Sequence, residues 1–255
     1  MNATLKLEGK VALVTGGGGG IGRATSLAFA REGAKVAVVD IDEARARAVA
    51  DEVQAAGGDA FAIRTDVSKN AEVEAMVQAV VARFGRLDVA FNNAALDLEH
   101  EPLGKTDEET FDRLMSVNVK GVWLCMKHEI AQMLAQGEGA IVNTSSIGGV
   151  IGAPRQPIYG TTKHAVLGLT KAAAVEYGRK GIRVNAVCPG VINTEMMERA
   201  VARDPRRKAH IESAHPIGRM GEAEEVARAV VFLSSADAGF VLGHALMVDG
   251  GFTAR

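Results

Sequence analysis

Seven short runs of apolar, mostly β-branched residues recur along this chain, and helical patterns separate them. The runs predict strands at residues 11–15, 35–40, 60–66, 87–93, 139–145, 182–187 and 245–250. Most runs are apolar at nearly every position, which is typical of strands covered on both faces. Strands that alternate with helices form βαβ units with right-handed crossovers. The sequence therefore predicts an α/β fold: a doubly wound (Rossmann) parallel sheet of seven strands with helices on both faces.

The intervening patterns predict helices at residues 20–32, 42–56, 69–84, 107–136, 159–179 and 222–235. No fixed-period repeat, low-complexity tract or linker divides the 255 residues, so we expect one domain over 1–255. Residues 193–221 interrupt the alternation with polar and methionine-containing sequence. Because this segment follows a strand end where ligands bind, we expect it to act as a lid over the substrate.

Composition excludes several classes of protein. The net charge is −2 and the basic residues are scattered, which argues against a nucleic-acid partner. No apolar stretch reaches about 18 residues, and the first residues lack a secretory apolar region, so we expect a cytoplasmic protein without a membrane partner. The six histidines show no metal-site spacing, so no metal is expected. Cys125 and Cys188 are expected to be reduced and packed.

Ligands of an open parallel sheet bind beyond the carboxyl ends of its strands. Small or polar residues follow nearly every predicted strand here: the glycine run 16–20, Asp40, Asp66, Asn92–Asn93, Ser145–Ser146 and Pro189–Gly190. A purely structural core does not predict that coincidence, so this edge of the sheet is the expected binding site.

The run "TGGGGGIG" at 15–22 lies between the first predicted strand and the first predicted helix. Glycines let the backbone approach a pyrophosphate, whose charge suits a helix N-terminus. The register is ambiguous: Gly17, Gly19 and Gly22 fit one dinucleotide-binding spacing, while Gly16, Gly20 and Gly22 fit another. The strand before and the helix after make the run a predicted dinucleotide site.

Asp40 ends the second predicted strand, where a carboxylate can accept hydrogen bonds from the adenosine ribose. The same charge would repel the 2′-phosphate of NADP. Neither Gly17 nor Ile41 supplies a cation there, and we expect Arg23 to lie along the first helix, away from the ribose. The predicted cofactor is therefore NAD. Asp40 could also serve as a cap for the second helix.

The chain resembles the short-chain dehydrogenase/reductase family over essentially its whole length. The motifs that carry the resemblance are "TGGGGGIG" (15–22), "DV" (66–67), "NNAA" (92–95), "VNVKG" (117–121), "NTSS" (143–146), "YGTTK" (159–163) and "PGVINT" (189–194). Ala95 departs from the glycine usual in the family, and we expect a slightly tighter loop there with function kept.

The resemblance implies a catalytic set of Asn118, Ser146, Tyr159 and Lys163. Ser146 is preferred to Ser145 because it precedes Tyr159 by thirteen residues, the separation usual in the family. The resemblance also implies cofactor contacts at Gly16, Gly20, Ile21, Gly22, Asp40, Ile41, Asp66, Val67, Asn92, Ala94, Tyr159, Lys163, Pro189, Gly190, Ile192 and Thr194. Within these sets, Asn118 would anchor a proton-relay water, and Ile192 and Thr194 would meet the nicotinamide carboxamide.

Tyr159 and Lys163 lie four residues apart, so they share one face of a helix. An ammonium near the phenol, together with a cationic nicotinamide, would lower the tyrosine pKa from about 10 toward the working pH of a base. Ser146 would donate to the substrate oxygen as charge develops there. His164 is the alternative base, although its helical position points it elsewhere.

The predicted activity is hydride transfer between nicotinamide and a secondary alcohol or ketone. The alternatives are a carrier-bound 3-oxoacyl reductase and a catalytically silent dinucleotide sensor. Residues 97–102, 149–157 and 193–214 are expected to build the substrate pocket, and the basic residues at 199, 203, 206, 207 and 208 leave an anionic substrate open. Apolar residues on more than one face of the helices 107–136 and 159–179 predict a homotetramer, with a dimer next.

Overall fold

A computed structural model describes residues 5–98, 101–195, 197 and 206–254. Its main sheet has seven parallel strands in the order β3-β2-β1-β4-β5-β6-β9. The strands are β1 Val11–Thr15, β2 Lys35–Asp40, β3 Ala60–Arg64, β4 Val89–Asn92, β5 Gly139–Thr144, β6 Ile182–Pro189 and β9 Ala245–Val248. The predicted doubly wound α/β fold is confirmed.

Helices cover both faces of this sheet. They are α1 Gly20–Arg31, α2 Glu43–Ala55, α3 Asn70–Phe84, α4 Glu108–Met115, α5 Val122–Gln136, α6 Pro157–Tyr177, α7 Arg206–Ala214 and α8 Ala223–Ser234. Successive residues of β1 alternate between two cores: Ala12 and Val14 pack with one cluster, and Val11 and Leu13 pack with the other. The two-sided burial explains why the strands are apolar throughout.

The predicted helix 107–136 is interrupted. A π-helical turn, Ser116–Gly121, lies between α4 and α5 and carries the "VNVKG" motif. At its end, a Cβ on Gly121 would lie 2.9 Å from Cγ2 of Val67, so glycine allows the turn to approach the loop after β3. Periodicity cannot reveal a π turn, because it adds a residue without changing the apolar character of the face.

The segment predicted as a lid is described in part. β7 Ile192–Asn193 pairs in parallel with β8 Gly221–Glu222, and α7 lies between them in sequence. Residues 196 and 198–205 of the predicted lid lie outside the described residues, as do residues 99–100 of the predicted substrate pocket.

The strand order reverses between β1 and β4, so the first crossover runs to one side of the sheet and the later ones to the other. A crevice opens at such a switch point beyond the carboxyl ends of the strands. Thr15 pairs with Asn92 there, which brings the glycine run beside the "NNAA" motif.

Candidate active site

The glycine run forms a tight turn between β1 and α1. Gly16 and Gly20 have positive φ angles of 61° and 50°, and a Cβ on Gly22 would lie 2.0 Å from the carbonyl oxygen of Gly16. These positions favour the register Gly16, Gly20, Gly22 among the two that the sequence left open. No side chain caps α1 and no acidic residue lies in its first turn, so its N–H groups are available to an anion. The turn therefore fits a dinucleotide pyrophosphate.

Asp40 lies half-buried at the end of β2, beside the glycine turn. Its carboxylate accepts hydrogen bonds from the backbone N–H of Gly18 and of Asp42, both at 3.0 Å. Asp42 caps α2, because its Oδ1 accepts a hydrogen bond from the N–H of Ala44 at 3.0 Å. Asp40 thus stays at the crevice, while the neighbouring Ile41 side chain is 62% exposed.

Arg45 is a cation at this place that the sequence analysis missed. Its Nε donates to the Gly18 carbonyl at 3.3 Å, and its guanidinium pairs with Glu195 at 3.4 Å. Arg45 reaches the glycine turn from the first turn of α2, whereas the sequence analysis considered a cation only at Gly17, Arg23 and Ile41. Arg23 pairs instead with Glu52 of α2.

The ends of β3 and β4 bring further predicted cofactor residues to the same edge. Asp66 accepts from the N–H and the hydroxyl of Ser68 at 3.0 and 2.7 Å. Val67 is buried against Gly121, and the N–H of Ala94 donates to the Thr15 hydroxyl at 3.2 Å. These contacts hold the two strand ends in fixed positions around the crevice.

The Asn92 side chain points into the core instead of the crevice. Its Nδ2 donates to Glu129 of α5 at 3.0 Å and to Asn143 of β5 at 3.1 Å. Glu129 is fully buried, and burial raises its pKa to about 8. Asn143 in turn donates to the Thr170 hydroxyl of α6 at 2.9 Å. Asn92 therefore supports the cofactor edge from below through a buried polar network.

Asn93, which the sequence analysis placed at the binding edge but not among the cofactor contacts, is the asparagine that faces the glycine turn. Its Nδ2 donates to the Gly16 carbonyl at 3.2 Å, and its N–H donates to the Thr15 hydroxyl at 3.0 Å. The adjacent asparagines of "NNAA" point to opposite sides, as successive residues of a strand do. That alternation was the available signal.

Asn118 lies within the π-helical turn and is fully buried. Its Oδ1 accepts from the Leu96 N–H at 2.7 Å, and its Nδ2 donates to the Leu96 carbonyl at 2.9 Å and to the Thr162 hydroxyl at 3.2 Å. Each polar atom of the side chain thus has a protein partner. The Asn118 side chain fixes the loop after β4 against α6, and these hydrogen bonds occupy both of its polar atoms.

The two serines after β5 have different surroundings. The Ser146 hydroxyl lies close enough to the Tyr159 phenol to favour a lower pKa there, and it accepts from the Gly148 N–H at 3.1 Å. The Ser145 hydroxyl is buried and donates to the Lys163 carbonyl at 2.9 Å. Ser146 is therefore the serine beside the phenol.

Tyr159 and Lys163 lie on one face of α6, with the Lys163 ammonium 5.5 Å from the centre of the Tyr159 ring. The ammonium donates to the Thr144 carbonyl at 3.0 Å. Burial lowers the Lys163 pKa to about 8, and burial, reinforced by the charge of Asp97, raises the Tyr159 pKa to about 12. Burial therefore moves the Tyr159 pKa away from the working range of a base, whereas the lowering expected from a cationic nicotinamide stays a prediction.

His164, the alternative base, is exposed on α6, and its Nδ1 lies 2.9 Å from the Gly160 carbonyl. It has no contact with Ser146 among the described residues.

The last part of the edge follows β6. The Gly190 N–H donates to the Val248 carbonyl at 3.0 Å, and Ile192 is buried where β7 begins. Thr194 approaches the glycine turn, since a Cβ on Gly20 would lie 3.3 Å from its Cγ2. Pro189, the last residue of β6, pairs with Val248 of β9. Of this motif, Thr194 is the residue that the structure brings to the glycine turn.

Two further surveys concern metals and membranes. The described residues contain no group of three or more histidine, cysteine or acidic side chains placed to hold a metal ion. Among the same residues, no helix combines the length and the apolar character needed to cross a bilayer. Cys125 and Cys188 are both buried and unpaired with each other.

A family model described as enoyl-(acyl carrier protein) reductase matches residues 16–253. A 2,5-dichloro-2,5-cyclohexadiene-1,4-diol dehydrogenase of Sphingobium indicum is 47% identical over 249 residues, which are 97% of this chain and 98% of that protein. The chain belongs to the short-chain dehydrogenase/reductase family. It is an oxidoreductase of the dehydrogenase/reductase type that uses a nicotinamide cofactor.

Solved structures of family members superpose closely. The crystal structure of levodione reductase has a TM-score of 0.94 and 40% identity and covers 98% of this chain and 99% of its own. A structure from Beutenbergia cavernae, named for an NAD(P)-dependent gluconate 5-dehydrogenase, has a TM-score of 0.93 and 34% identity, covers 99% of this chain and 100% of its own, and holds NADP at low occupancy. The family thus includes a member with NADP bound, so membership of the family does not by itself distinguish NAD from NADP as the cofactor of this chain.

Proposed function

We propose that this chain transfers hydride between NAD(H) and a secondary alcohol or ketone, with Tyr159 moving the proton. The observation that carries the proposal is the joint placement of Ser146, Tyr159 and Lys163 at the strand edge beside the glycine turn. The relatives named as a diol dehydrogenase and as a reductase support the substrate class.

The roles follow from what each side chain can donate or accept. The nicotinamide ring accepts or supplies the hydride when it is bound. Tyr159 would hold the proton that the substrate oxygen loses or gains, and the neighbouring Ser146 hydroxyl would donate a hydrogen bond to that oxygen. Lys163 adds positive charge beside the phenol and, by family resemblance, holds the nicotinamide ribose. Asn118 positions the loop after β4, and a relay water at this residue would use its main-chain carbonyl.

We propose NAD as the preferred cofactor, because Asp40 ends β2 beside the glycine turn, where the adenosine ribose is expected to bind. Its carboxylate would accept hydrogen bonds from the ribose hydroxyls and would repel a 2′-phosphate. Two unit charges about 4 Å apart repel by about 1 kcal/mol in water and about 4 kcal/mol at an effective dielectric of 20. Loss of hydrogen bonds to a charged group adds about 1.5–3 kcal/mol. Arg45 opposes this preference, although its pairing with Glu195 offsets part of its charge.

The test compares kcat/KM for NAD and for NADP with cyclohexanol as the substrate. The rate is measured from the absorbance of the reduced nicotinamide. We expect NAD to be preferred by about a hundredfold or more, given the energies above. Asp40→Ala combined with Ile41→Arg should narrow or reverse the ratio, because a guanidinium can grip the phosphate in a fork. Equal efficiency in the wild type would show that Asp40 does not select the cofactor.

Two other functions make different predictions in the same assay. The description of the matching family model keeps a carrier-bound acyl reductase open, and that function predicts turnover of 3-oxoacyl thioesters with cyclohexanol left unused. A silent sensor would bind NADH and turn over neither substrate. Turnover of cyclohexanol by the wild type, abolished in Tyr159→Phe, supports the proposed function against both.

We further propose a single domain with the segment 193–221 as its lid, working in the cytoplasm as a homotetramer. Support for assembly comes from exposed apolar side chains on separate helices. A surface cavity of about 530 Å³ is lined by residues of α4, the π turn, α5 and α6, including Trp123, which is 48% exposed. Phe240, in the turn before β9, is fully exposed. Light scattering after gel filtration tests this, and a monomer would contradict it.

A further inference from the structure

Asp97 lies in the loop after β4, and hydrogen bonds from two elements fix its position. The residue before it, Leu96, is held through its N–H and its carbonyl by Asn118, at 2.7 and 2.9 Å. Both oxygens of Asp97 accept from Nε2 of Gln156, at 2.9 and 3.0 Å. Gln156 immediately precedes α6, three residues before Tyr159. Asp97 is therefore tied to the start of the helix that carries the Tyr159–Lys163 pair.

The charge of Asp97 is felt by both members of that pair. It raises the pKa of Tyr159 and also raises that of Lys163, in each case as a smaller influence than burial. No other carboxylate has this influence on both groups among the described residues. Asp97 thus lies within electrostatic range of the place where the substrate oxygen must sit.

The Asp97 carboxylate retains capacity to accept further hydrogen bonds. Among the described residues its one hydrogen-bonding partner is the neutral amide of Gln156, and it forms no ion pair there. A carboxylate offers about four lone-pair sites and no donor. A group that satisfies it must therefore bring a hydrogen-bond donor.

We propose that Asp97 is a substrate-binding residue that accepts a hydrogen bond from a second hydroxyl of the substrate, which makes neutral diols and hydroxy ketones the preferred substrate class. The inference rests on the proposed alcohol–ketone chemistry of this site. A hydroxyl suits the position better than an ammonium, because the Lys163 ammonium already places positive charge in this buried site. Anionic substrates are disfavoured, since they would meet the Asp97 carboxylate.

A purely structural role is the competing explanation: Asp97 could serve only to tie the loop to α6. The two explanations differ in what Gln156 does. If the tie is the whole function, Gln156→Ala should reproduce the effects of Asp97→Ala. If Asp97 binds substrate, Gln156→Ala should keep the preference for a second hydroxyl while Asp97→Ala loses it.

The experiment compares kcat/KM for cyclohexanol, for the 1,2-, 1,3- and 1,4-cyclohexanediols and for 4-hydroxycyclohexanecarboxylate. We expect at least one diol to exceed cyclohexanol by about tenfold to a hundredfold, the effect of a hydrogen bond to a charged group. The carboxylate should fall below cyclohexanol. In Asp97→Ala the ratio of diol to cyclohexanol should approach one, and in Asp97→Asn the penalty on the carboxylate should shrink while part of the diol preference remains. Glu74→Gln, an exposed acid on α3, controls for loss of a charge elsewhere.

The outcomes separate this inference from the function on which it rests. Turnover of cyclohexanol with no diol preference, or a preference that persists in Asp97→Ala, overturns the role of Asp97 and leaves the proposed activity standing. If no alcohol is turned over, the same diols are compared by their effect on Tm with NAD present. Stabilisation of the wild type that is lost in Asp97→Ala still supports the site, and no stabilisation of the wild type overturns it. Asp97→Leu replaces Asp97→Ala in these comparisons if the alanine variant does not fold, because leucine likewise offers no hydrogen-bond acceptor.

Discussion

Replacing Glu129 with glutamine should make the stability of the chain less sensitive to pH. Glu129 is fully buried on α5, and one of its oxygens accepts from Asn92 at 3.0 Å. The other oxygen, Oε1, and the Oδ1 atom of Asn92 have no hydrogen-bond partner among the described residues. A proton on Glu129 would supply a donor for Asn92 Oδ1, and glutamine offers the same pairing with an N–H. The variant therefore keeps the shape and the hydrogen bonds of the protonated acid.

The magnitude follows from the pKa of Glu129, which burial raises from 4.5 to about 8. Below pH 4.5 the group is protonated in both the folded and the unfolded chain, and its full contribution is present. Between pH 4.5 and 8 the unfolded chain loses the proton while the folded chain keeps it. The free energy of unfolding therefore falls by about 1.4 kcal/mol per pH unit from this group alone, and levels off above pH 8. Between pH 5.5 and 7.5 the loss amounts to about 2.5 kcal/mol.

The assay is urea unfolding of the wild type and of Glu129→Gln at several pH values from 5.5 to 8.5. All other titrating groups are shared, so the difference between the two curves isolates Glu129. We expect that difference to grow by about 2.5 kcal/mol from pH 5.5 to 7.5 in favour of the glutamine variant. Glu74→Gln should follow the wild type, because its side chain is exposed. Parallel curves for wild type and Glu129→Gln would refute the reasoning and show that Glu129 is ionised in the folded chain.

Tyr159→Phe should lower turnover by several orders of magnitude while NADH binding, measured by fluorescence, stays near that of the wild type; retention of more than about a tenth of the activity would return His164 to consideration. Lys163→Ala should lower both turnover and cofactor affinity, and a change in turnover alone would remove its ribose contact. Asp97→Asn should move the alkaline limb of the rate–pH profile for alcohol oxidation to lower pH, because Asp97 raises the pKa of Tyr159 and Lys163. Arg45→Ala should reduce efficiency with NADP more than with NAD, and an equal loss would assign Arg45 to the shared pyrophosphate.

The fold could be predicted because its strands are buried on both faces, which makes them continuous apolar runs. β1 and β2 match the prediction residue for residue. β3, β4, β5 and β9 end one or two residues earlier than predicted, since the polar residues at those ends belong to the site and not to the ladder, whereas β6 continues to Pro189. The interruption at Ser116–Gly121 could not be predicted, because a π turn inserts a residue without disturbing the apolar pattern.

The candidate site likewise contains residues that could be predicted from the sequence and residues that could not. Residues that carry chemistry in fixed motifs, such as Ser146 and Tyr159, could be selected from sequence, and the structure brings these two together. Arg45 and Glu129 act on residues tens of positions away, so no local pattern marks them, and the pocket segment 97–102 was predicted without the pairing of Asp97 with Gln156. Each reaches the site from a different element, and only the packed fold brings them to it.

Burial of the Tyr159–Lys163 pair favours one direction of the reaction, the reduction of a ketone, at neutral pH. At pH 7, ionising a phenol whose pKa is about 12 costs about 7 kcal/mol, so burial favours Tyr159 as a proton donor. A ketone needs that proton, whereas an alcohol needs the phenol to have lost it. Lys163, with a pKa lowered to about 8, is still mostly charged at pH 7 but loses that charge as the pH rises toward conditions that favour the tyrosinate. The two ionisations therefore oppose each other, since the Tyr159 base becomes available as the supporting charge of Lys163 disappears.

The rate of alcohol oxidation should rise with pH and then level off at a lower pH than the Tyr159 pKa alone would allow, whereas the rate of ketone reduction should stay high at neutral pH. Initial rates measured in both directions from pH 6 to 10 would test this, and an oxidation rate that keeps rising tenfold per pH unit to pH 10 would show that Lys163 has no part in it.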